Sequence, residues 1–436
     1  SIRAVVASAH NSIIMIITSQ KLLTLQDDMT PVNNGAVVFS RGLILASGPT
    51  EKILKKHTGH RICRLENAVL MPGLINVHTH IELPPLLDAV RARAFPDWVL
   101  NLIKVKRLLT DKSYKSAAKK NIKALIHAGT TTIGEICTHG VSHSILKQSG
   151  LRATVYQEII SMDPSSPMSR LPPLVSRPSS NLVRIGLSPH APLTVSETAL
   201  LQIKKLALRK HLRLSMHVAE SKDEIKMLQR KKNRFEKLYR AVGWDTAWAP
   251  STGSPFEYLH KLGLLNDDFL AVHAVQTTEK DISLIKRSRV SVAHCPRSNK
   301  ETGVGKMPLK KFLDAGVVVG LGTDSLASSP SLNLWDEMRY AYRIHRSDGI
   351  TVEDIFAIAT AGGAKVLGMF DMIGSIEPGK RADIIAVPLP KKDTGDTYSD
   401  LLRETKSCIM SVVDGKVLFR DRSVARGSIR SPGRKL

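Results

Sequence analysis

Residues 71–80 read Met-Pro-Gly-Leu-Ile-Asn-Val-His-Thr-His, an apolar run that stops at two histidines one residue apart. In an extended strand alternate side chains share a face, so His78 and His80 point the same way and suit two imidazoles gripping one ion. Two nearby histidines are more often ordinary surface or core residues. The pair gains meaning only if the chain adds further ligands, a general acid and a scaffold that brings them together.

The scaffold is legible outward from this run. Strands are predicted at 74–80, 130–136, 153–159, 183–189, 212–218, 269–273, 290–294 and 317–323. Helices are predicted between and after them, at 97–109, 114–128, 196–210, 224–242, 279–288, 309–315 and 332–345. Eight strand/helix units over about 290 residues predict an α/β fold, a closed parallel (β/α)8 TIM barrel. Its crossovers are right-handed and its strands buried on both faces. An open doubly wound sheet is the alternative, but no GxGxxG or phosphate loop follows the first strand. Both chain ends are β-rich, with strands expected at 12–17, 35–39, 43–47, 63–70, 382–387 and 408–419. We expect 1–70 and 371–436 to combine into a small β-sandwich domain beside a hydrolase barrel spanning 71–370.

Composition bounds the function. At 436 residues, 42% hydrophobic and 5% aromatic, the chain has the balance of a soluble globular protein. Cys63, Cys137, Cys295 and Cys408 show no CxxC spacing, which argues against a disulfide framework or thiolate zinc and for a reducing, cytoplasmic home. The apolar stretch within 1–25 is too short for a membrane span and lacks the layout of a cleaved signal, so no membrane partner is expected. A net charge of +24 invites a nucleic-acid reading. The charge is spread over amphipathic segments such as 222–240 and the tail 420–436, without aromatic-studded basic motifs, so no nucleic-acid partner is expected.

Barrel chemistry gathers at the carboxyl ends of the strands. There the sequence places His78 and His80, Glu135, Glu158, His190, His217, His273, His294 and Asp324. Singly, each has a dull explanation: Glu135 and Glu158 as hydrogen-bonded interior groups, a lone histidine as a packed core residue. Polar groups at one end of nearly every strand point instead to chemistry. The expected metal ligands are His78, His80, His217 and Asp324, a set that suits one divalent ion, zinc first and iron(II) as the alternative, with a position left for water. Glu220, just past the strand of His217, is the expected acid/base, with His273 as base or electrostatic partner. His190, in a Pro-flanked loop, is expected to face substrate, and His294 to pack.

PGLINVHTH at 72–80, SPHAP at 188–192, HVAE at 217–220, VHAV at 272–275, HCPRSN at 294–299, GLGTDSLAS at 320–328 and IGSIEPGKRADII at 373–385 together resemble the amidohydrolase superfamily, in its branch of mononuclear nucleoside and base deaminases. The resemblance covers nearly the whole chain. It implies a cyclic-amidine aminohydrolase whose metal ligands are His78, His80, His217 and Asp324, with Glu220 protonating a ring nitrogen and His273 with Asp324 handling the water proton. Within the branch, HTHIEL and CPRSN look most like aminofutalosine deaminases of menaquinone biosynthesis. Methylthioadenosine and adenosylhomocysteine deaminases are the second choice, since Arg107 falls about where their ribose-binding glutamate is expected. Glu82 and Arg297 become candidate contacts to a purine nucleoside-like substrate, and the loops 83–95 and 163–180 are expected to set selectivity. An even-numbered assembly, a homodimer at its simplest, fits the resemblance.

Competing readings are a guanine, cytosine or triazine hydrolase, a binuclear amidase, and a non-enzymatic basic binding protein. The binuclear amidase needs a bridging lysine that strands three and four lack. The binding protein leaves the ring of strand-end groups unexplained.

Overall fold

Apolar and β-branched residues fill each short run of the chain's centre, and every one of these runs is a buried strand. The computed structural model describes residues 14–26, 28–162, 179–245 and 252–421. Eight parallel strands follow one another in sequence order around a barrel: Leu74–Thr79, Thr130–Cys137, Arg152–Ile159, Val183–Pro189, Leu214–Val218, Phe269–His273, Ser291–His294 and Val319–Leu321. Each lies within two residues of its expected place. The last strand meets the first at the carboxyl end, where the amides of Thr323 and Asp324 both donate to the His78 carbonyl at 3.1 Å. Asn76 clamps the same seam, its Nδ2 donating to Thr323 Oγ1 at 2.8 Å and its Oδ1 accepting from the Thr323 amide at 3.1 Å. A Cβ at Gly322 would lie 3.0 Å from the Cβ of His78, so glycine lets the closing chain come this near.

Strands from both chain ends build one mixed eight-stranded sheet. Met15–Leu22, Val32–Ser40, Leu43–Pro49, Arg61–Arg64 and Ala68–Pro72 come from one end, and Ile384–Pro388, Met410–Val413 and Lys416–Arg420 from the other. Ala68–Pro72 pairs antiparallel with Ile384–Pro388 and leads through Gly73 into the first barrel strand. Arg152, at the amino end of the third barrel strand, reaches Asp383 beside this sheet with Nε–Oδ2 at 2.7 Å and Nη2–Oδ1 at 2.9 Å, both side chains 2% exposed.

Three expected elements are divided, the first being the strand foreseen at 63–70, which is two strands, Arg61–Arg64 and Ala68–Pro72. The strand foreseen at 408–419 is a hairpin, because Asp414-Gly415 supplies a two-residue turn with φ of 53° and 74°. The helix foreseen at 224–242 is two helices, Lys222–Leu228 and Phe235–Val242, parted where Arg230 takes a left-handed φ of 54°. That break lets Phe235, Leu238 and Tyr239 pack with Met227 and Leu228 in one apolar cluster. Residues 12 and 13 of the first expected strand, positions 163–178 of the expected selectivity loop and 422–436 of the basic tail lie outside the described residues. Among the described residues no helix is long and apolar enough to cross a membrane.

Candidate active site

His78 and His80 lie one residue apart at the end of the first barrel strand, and the alternation of side chains turns both toward the barrel mouth. His217, on the fifth strand, joins them. The ligand nitrogens of these three histidines lie within 4.8 Å of one another. Asp324 Oδ1 stands 3.6 Å from His78 Nε2 and 3.4 Å from His80 Nε2, so the closing seam delivers a carboxylate to the same point. Its other oxygen accepts from Ser298 Oγ at 2.6 Å and Ser328 Oγ at 2.8 Å.

Protonation favours ligation. Burial lowers His78 and His80 to about 4, so both imidazoles are neutral at physiological pH. Burial alone would raise Asp324, but His78, His80 and His273 hold it well below the usual carboxylate range. His217 Nδ1 lies 2.8 Å from the His190 carbonyl, which can only accept, so Nδ1 carries the proton and Nε2 keeps its lone pair. His78 is 0% exposed, and neither of its nitrogens has a hydrogen-bond partner. A buried imidazole without partners is costly unless an ion accepts its lone pair. Three imidazoles and a carboxylate are a donor set that fits a divalent zinc-like ion.

Around this point stand the other predicted groups. Glu220 follows Ala219, whose φ of 53° turns the chain back over the strand end. Glu224 fixes that turn by accepting from the amides of Ala219 at 2.9 Å and Glu220 at 2.7 Å. Burial, then the charges of Asp324 and Glu224, push Glu220 well above the usual carboxylate value, a direction that favours the form able to donate. Glu220 Oε1 lies 3.5 Å from His273 Nε2, and Asp324 Oδ2 lies 3.9 Å from the same nitrogen. Asn299 Oδ1 meets His273 Nδ1 at 2.8 Å, which leaves Nε2 as the basic nitrogen. Burial holds His273 down to about 3. His273 and Asp324 both sit in left-handed backbone, with φ of 72° and 57°, the strain that collects where a site dictates side-chain direction.

His190 lines the cavity opposite, its Nδ1 2.8 Å from Thr194 Oγ1. Two expected substrate contacts are turned elsewhere. Glu82 is 1% exposed and accepts from the amides of Thr138, His139, Val141 and Ser142 at 2.7–3.1 Å, so it holds the loop after the second strand and does not line the cavity. Arg297 binds Ser331 Oγ at 2.8 Å and lies 3.4 Å from Asp336 and 3.7 Å from Glu337, a network that draws it away from the cavity. Arg107 is exposed past the helix Phe95–Lys106, and Lys106 lines the cavity in its stead.

Glu158, one of the strand-end groups, lines the cavity and accepts from Thr138 Oγ1 at 2.6 Å. Burial would raise it, but His190, Lys106 and His80 bring it down to about 2. Its place at a strand end carried the same signal as His217. Glu224, Asn299 and the apolar wall of Phe95, Trp98, Leu102 and Trp244 carried none, since each acts through a contact that only the fold creates.

A barrel whose mouth gathers three imidazoles, a carboxylate and a buried acid defines a metal-dependent hydrolase class. The chain belongs to the Amidohydrolase family, which it matches over residues 69–418. It is 28% identical to a 5-methylthioadenosine/S-adenosylhomocysteine deaminase of Syntrophobacter fumaroxidans, over 94% of this chain and 93% of that one. Among solved structures, an adenosine deaminase from Xanthomonas campestris with bound zinc is 25% identical with a TM-score of 0.81, covering 95% and 94% of the two chains. Helicobacter pylori aminofutalosine deaminase in complex with methylthio-coformycin is 24% identical with a TM-score of 0.84, covering 92% and 99%, and shares the fold.

Proposed function

We propose that this chain deaminates an adenine nucleoside-like small molecule. It is a hydrolase acting on C–N bonds in cyclic amidines, as its family and its deaminase relatives support. One observation carries the reading: a buried acid, Glu220, and a base, His273, stand 3.5 Å apart beside three converging imidazoles. Hydrolytic deamination needs that combination. The amine-bearing carbon gains the oxygen of water, the neighbouring ring nitrogen gains a proton, and ammonia leaves as the amidine becomes a lactam.

The proposed ion ligands are His78, His80, His217 and Asp324, for zinc or alternatively iron(II). When bound, the ion supplies Lewis acidity that makes water nucleophilic near neutral pH. His273 Nε2 takes the proton of the attacking water, with Asp324 Oδ2 as the second acceptor. Glu220 donates to the ring nitrogen, so negative charge does not collect there. A second proton transfer through Glu220 makes the amine leave as ammonia. His190 orients the substrate, and Glu158 accepts from sugar hydroxyls. In this reading 71–370 is the hydrolase domain, with 1–70 and 371–436 as its composite companion.

Among adenine nucleosides we propose aminofutalosine, in menaquinone biosynthesis, as the substrate. The HTHIEL and CPRSN motifs and a lysine in place of a carboxylate at the end of the helix Phe95–Lys106 support it. A methylthioadenosine or adenosylhomocysteine deaminase is the second reading, favoured by the names of sequence relatives. A homodimer acting in the cytoplasm completes the proposal, and four buried free cysteines suit that reducing compartment.

Ammonia release from purified, metal-loaded protein tests the reading. Aminofutalosine, methylthioadenosine and adenosylhomocysteine form the panel, with guanine and cytosine as controls. We expect ammonia and the lactam from aminofutalosine; no ammonia from any purine contradicts the proposal.

A further inference from the structure

Two short segments hold groups that orient the proposed reaction centre. The helix Pro296–Glu301 carries Ser298, which donates to Asp324 Oδ2 at 2.6 Å, and Asn299, which accepts from His273 Nδ1 at 2.8 Å. The turn after Asp324 carries Ser328, which donates to the same Asp324 oxygen at 2.8 Å. Behind them, on the helix Leu334–His345, stands another carboxyl group, Glu337, 0% exposed and outside the cavity lining. Its Oε2 accepts from the Arg297 amide at 3.1 Å. Its Oε1 lies 3.7 Å from the Arg297 guanidinium and 3.3 Å from Ser329 Oγ, whose proton it shares with the Ser331 carbonyl at 3.1 Å. The two carboxyl groups are therefore nested. Asp324 joins residues 298 and 328, and Glu337 joins 297 and 329, their immediate neighbours in the chain. An apolar side chain can fill such a buried place without loss of stability; what the carboxyl group adds is two directed contacts.

We propose that Glu337 is a positioning residue, which pins residues 297 and 329 together and so sets Ser298, Ser328 and Asn299 in the places from which they orient Asp324 and His273. The inference rests on the deaminase reading, in which Asp324 Oδ2 and His273 Nε2 serve the attacking water together from 3.9 Å apart. Both residues sit in left-handed backbone, so strand geometry does not set their direction. The contacts of Ser298, Ser328 and Asn299 set it instead. These come from a six-residue helix and a turn, elements too short to be rigid alone. Glu337 ties both to a twelve-residue helix that packs into the core through Leu334, Trp335, Met338 and Ala341. Misplacing a reacting group by about 1 Å can cost about 100-fold in rate, so a clamp outside the cavity reaches the chemistry through the groups it holds.

A pair of substitutions tests it. Glu337→Leu removes both contacts and keeps the bulk, whereas Glu337→Gln keeps both, its oxygen accepting from the Arg297 amide and its nitrogen donating to Ser329 Oγ. Ammonia release is measured on metal-loaded protein with aminofutalosine or methylthioadenosine, whichever the wild type deaminates faster, and rates are taken per folded molecule by circular dichroism and thermal melting. In Glu337→Leu kcat falls by about 10- to 100-fold while KM stays within about two-fold of wild type. Glu337→Gln restores most of kcat. In a Ser298→Ala background the loss caused by Glu337→Leu is smaller than in wild type, because one of the groups it positions is already gone. Ser329→Ala severs one contact only and lowers kcat by about 3- to 10-fold, which decides the matter where Glu337→Leu does not fold. Unchanged kcat in Glu337→Leu, or in Ser329→Ala where the leucine variant does not fold, overturns the positioning role while deamination stands. So does a loss that appears in KM instead, a glutamine variant as impaired as the leucine one, or full additivity with Ser298→Ala. No ammonia from wild type with any purine nucleoside overturns the deaminase reading and this inference with it.

Discussion

Both ends of the barrel bury charge, and they treat it differently. At the amino end Arg152 meets both oxygens of Asp383, lies 3.6 Å from Asp414, and shares Asp383 Oδ1 with the Asp414 amide at 2.8 Å. Its guanidinium is paired on every side that faces a carboxylate. At the carboxyl end neither nitrogen of His78 is hydrogen-bonded, nor is His273 Nε2, and burial pushes Glu220 well above the usual carboxylate value. Four residues there, Ala219, His273, Ala274 and Asp324, take left-handed backbone. Burying a polar group without a partner costs free energy, so a fold that completes one end and leaves the other incomplete has reserved the second for something outside the chain. The lower ion pair joins barrel to β sheet; the upper cluster is the proposed ion and substrate site.

The contrast breaks most visibly at Glu220. Glu220→Gln keeps the shape and the proposed metal ligands but loses the donated proton, and kcat/KM should fall by about 1000-fold or more, within the range of a lost general acid. Metal content by elemental analysis should stay at the wild-type level. Wild-type-like turnover would remove Glu220 from its role.

At the other end the effect should appear in stability. Arg152→Met leaves Asp383 buried without its partner, and denaturant unfolding should show a loss of about 3–5 kcal/mol. Ammonia release per folded molecule should persist, because Arg152 touches none of the groups at the barrel mouth. Unfolding indistinguishable from wild type would mean that the lower pair does not hold the two sheets together.

Much of this division was legible in the sequence. Short apolar runs separated by helical segments are local signals, and all eight barrel strands fall where those runs predict. His78, His80 and His217 were legible for the same reason: a residue at a strand's end has its direction set by the strand. Glu82 and Arg297 misled because their side chains leave regular structure, and nothing local told that one would cap a loop and the other join Asp336 and Glu337. Lys106 was masked by its neighbours. Lys104, Lys106 and Arg107 look alike in a basic helix, and only the fold shows which one lines the cavity. The Asp414-Gly415 hairpin is different, since that dipeptide is itself a turn signal within the apolar run 408–419.

If the carboxyl end of the barrel is a mononuclear metal site, metal stoichiometry shows it most directly. Elemental analysis of purified wild type, after exhaustive dialysis against metal-free buffer, should give about one divalent ion per chain. Asp324→Ala, folded by circular dichroism, should hold far less and release no ammonia. A wild-type count near two would point to binuclear chemistry, and undiminished metal in Asp324→Ala would contradict the ligand set assigned to His78, His80, His217 and Asp324.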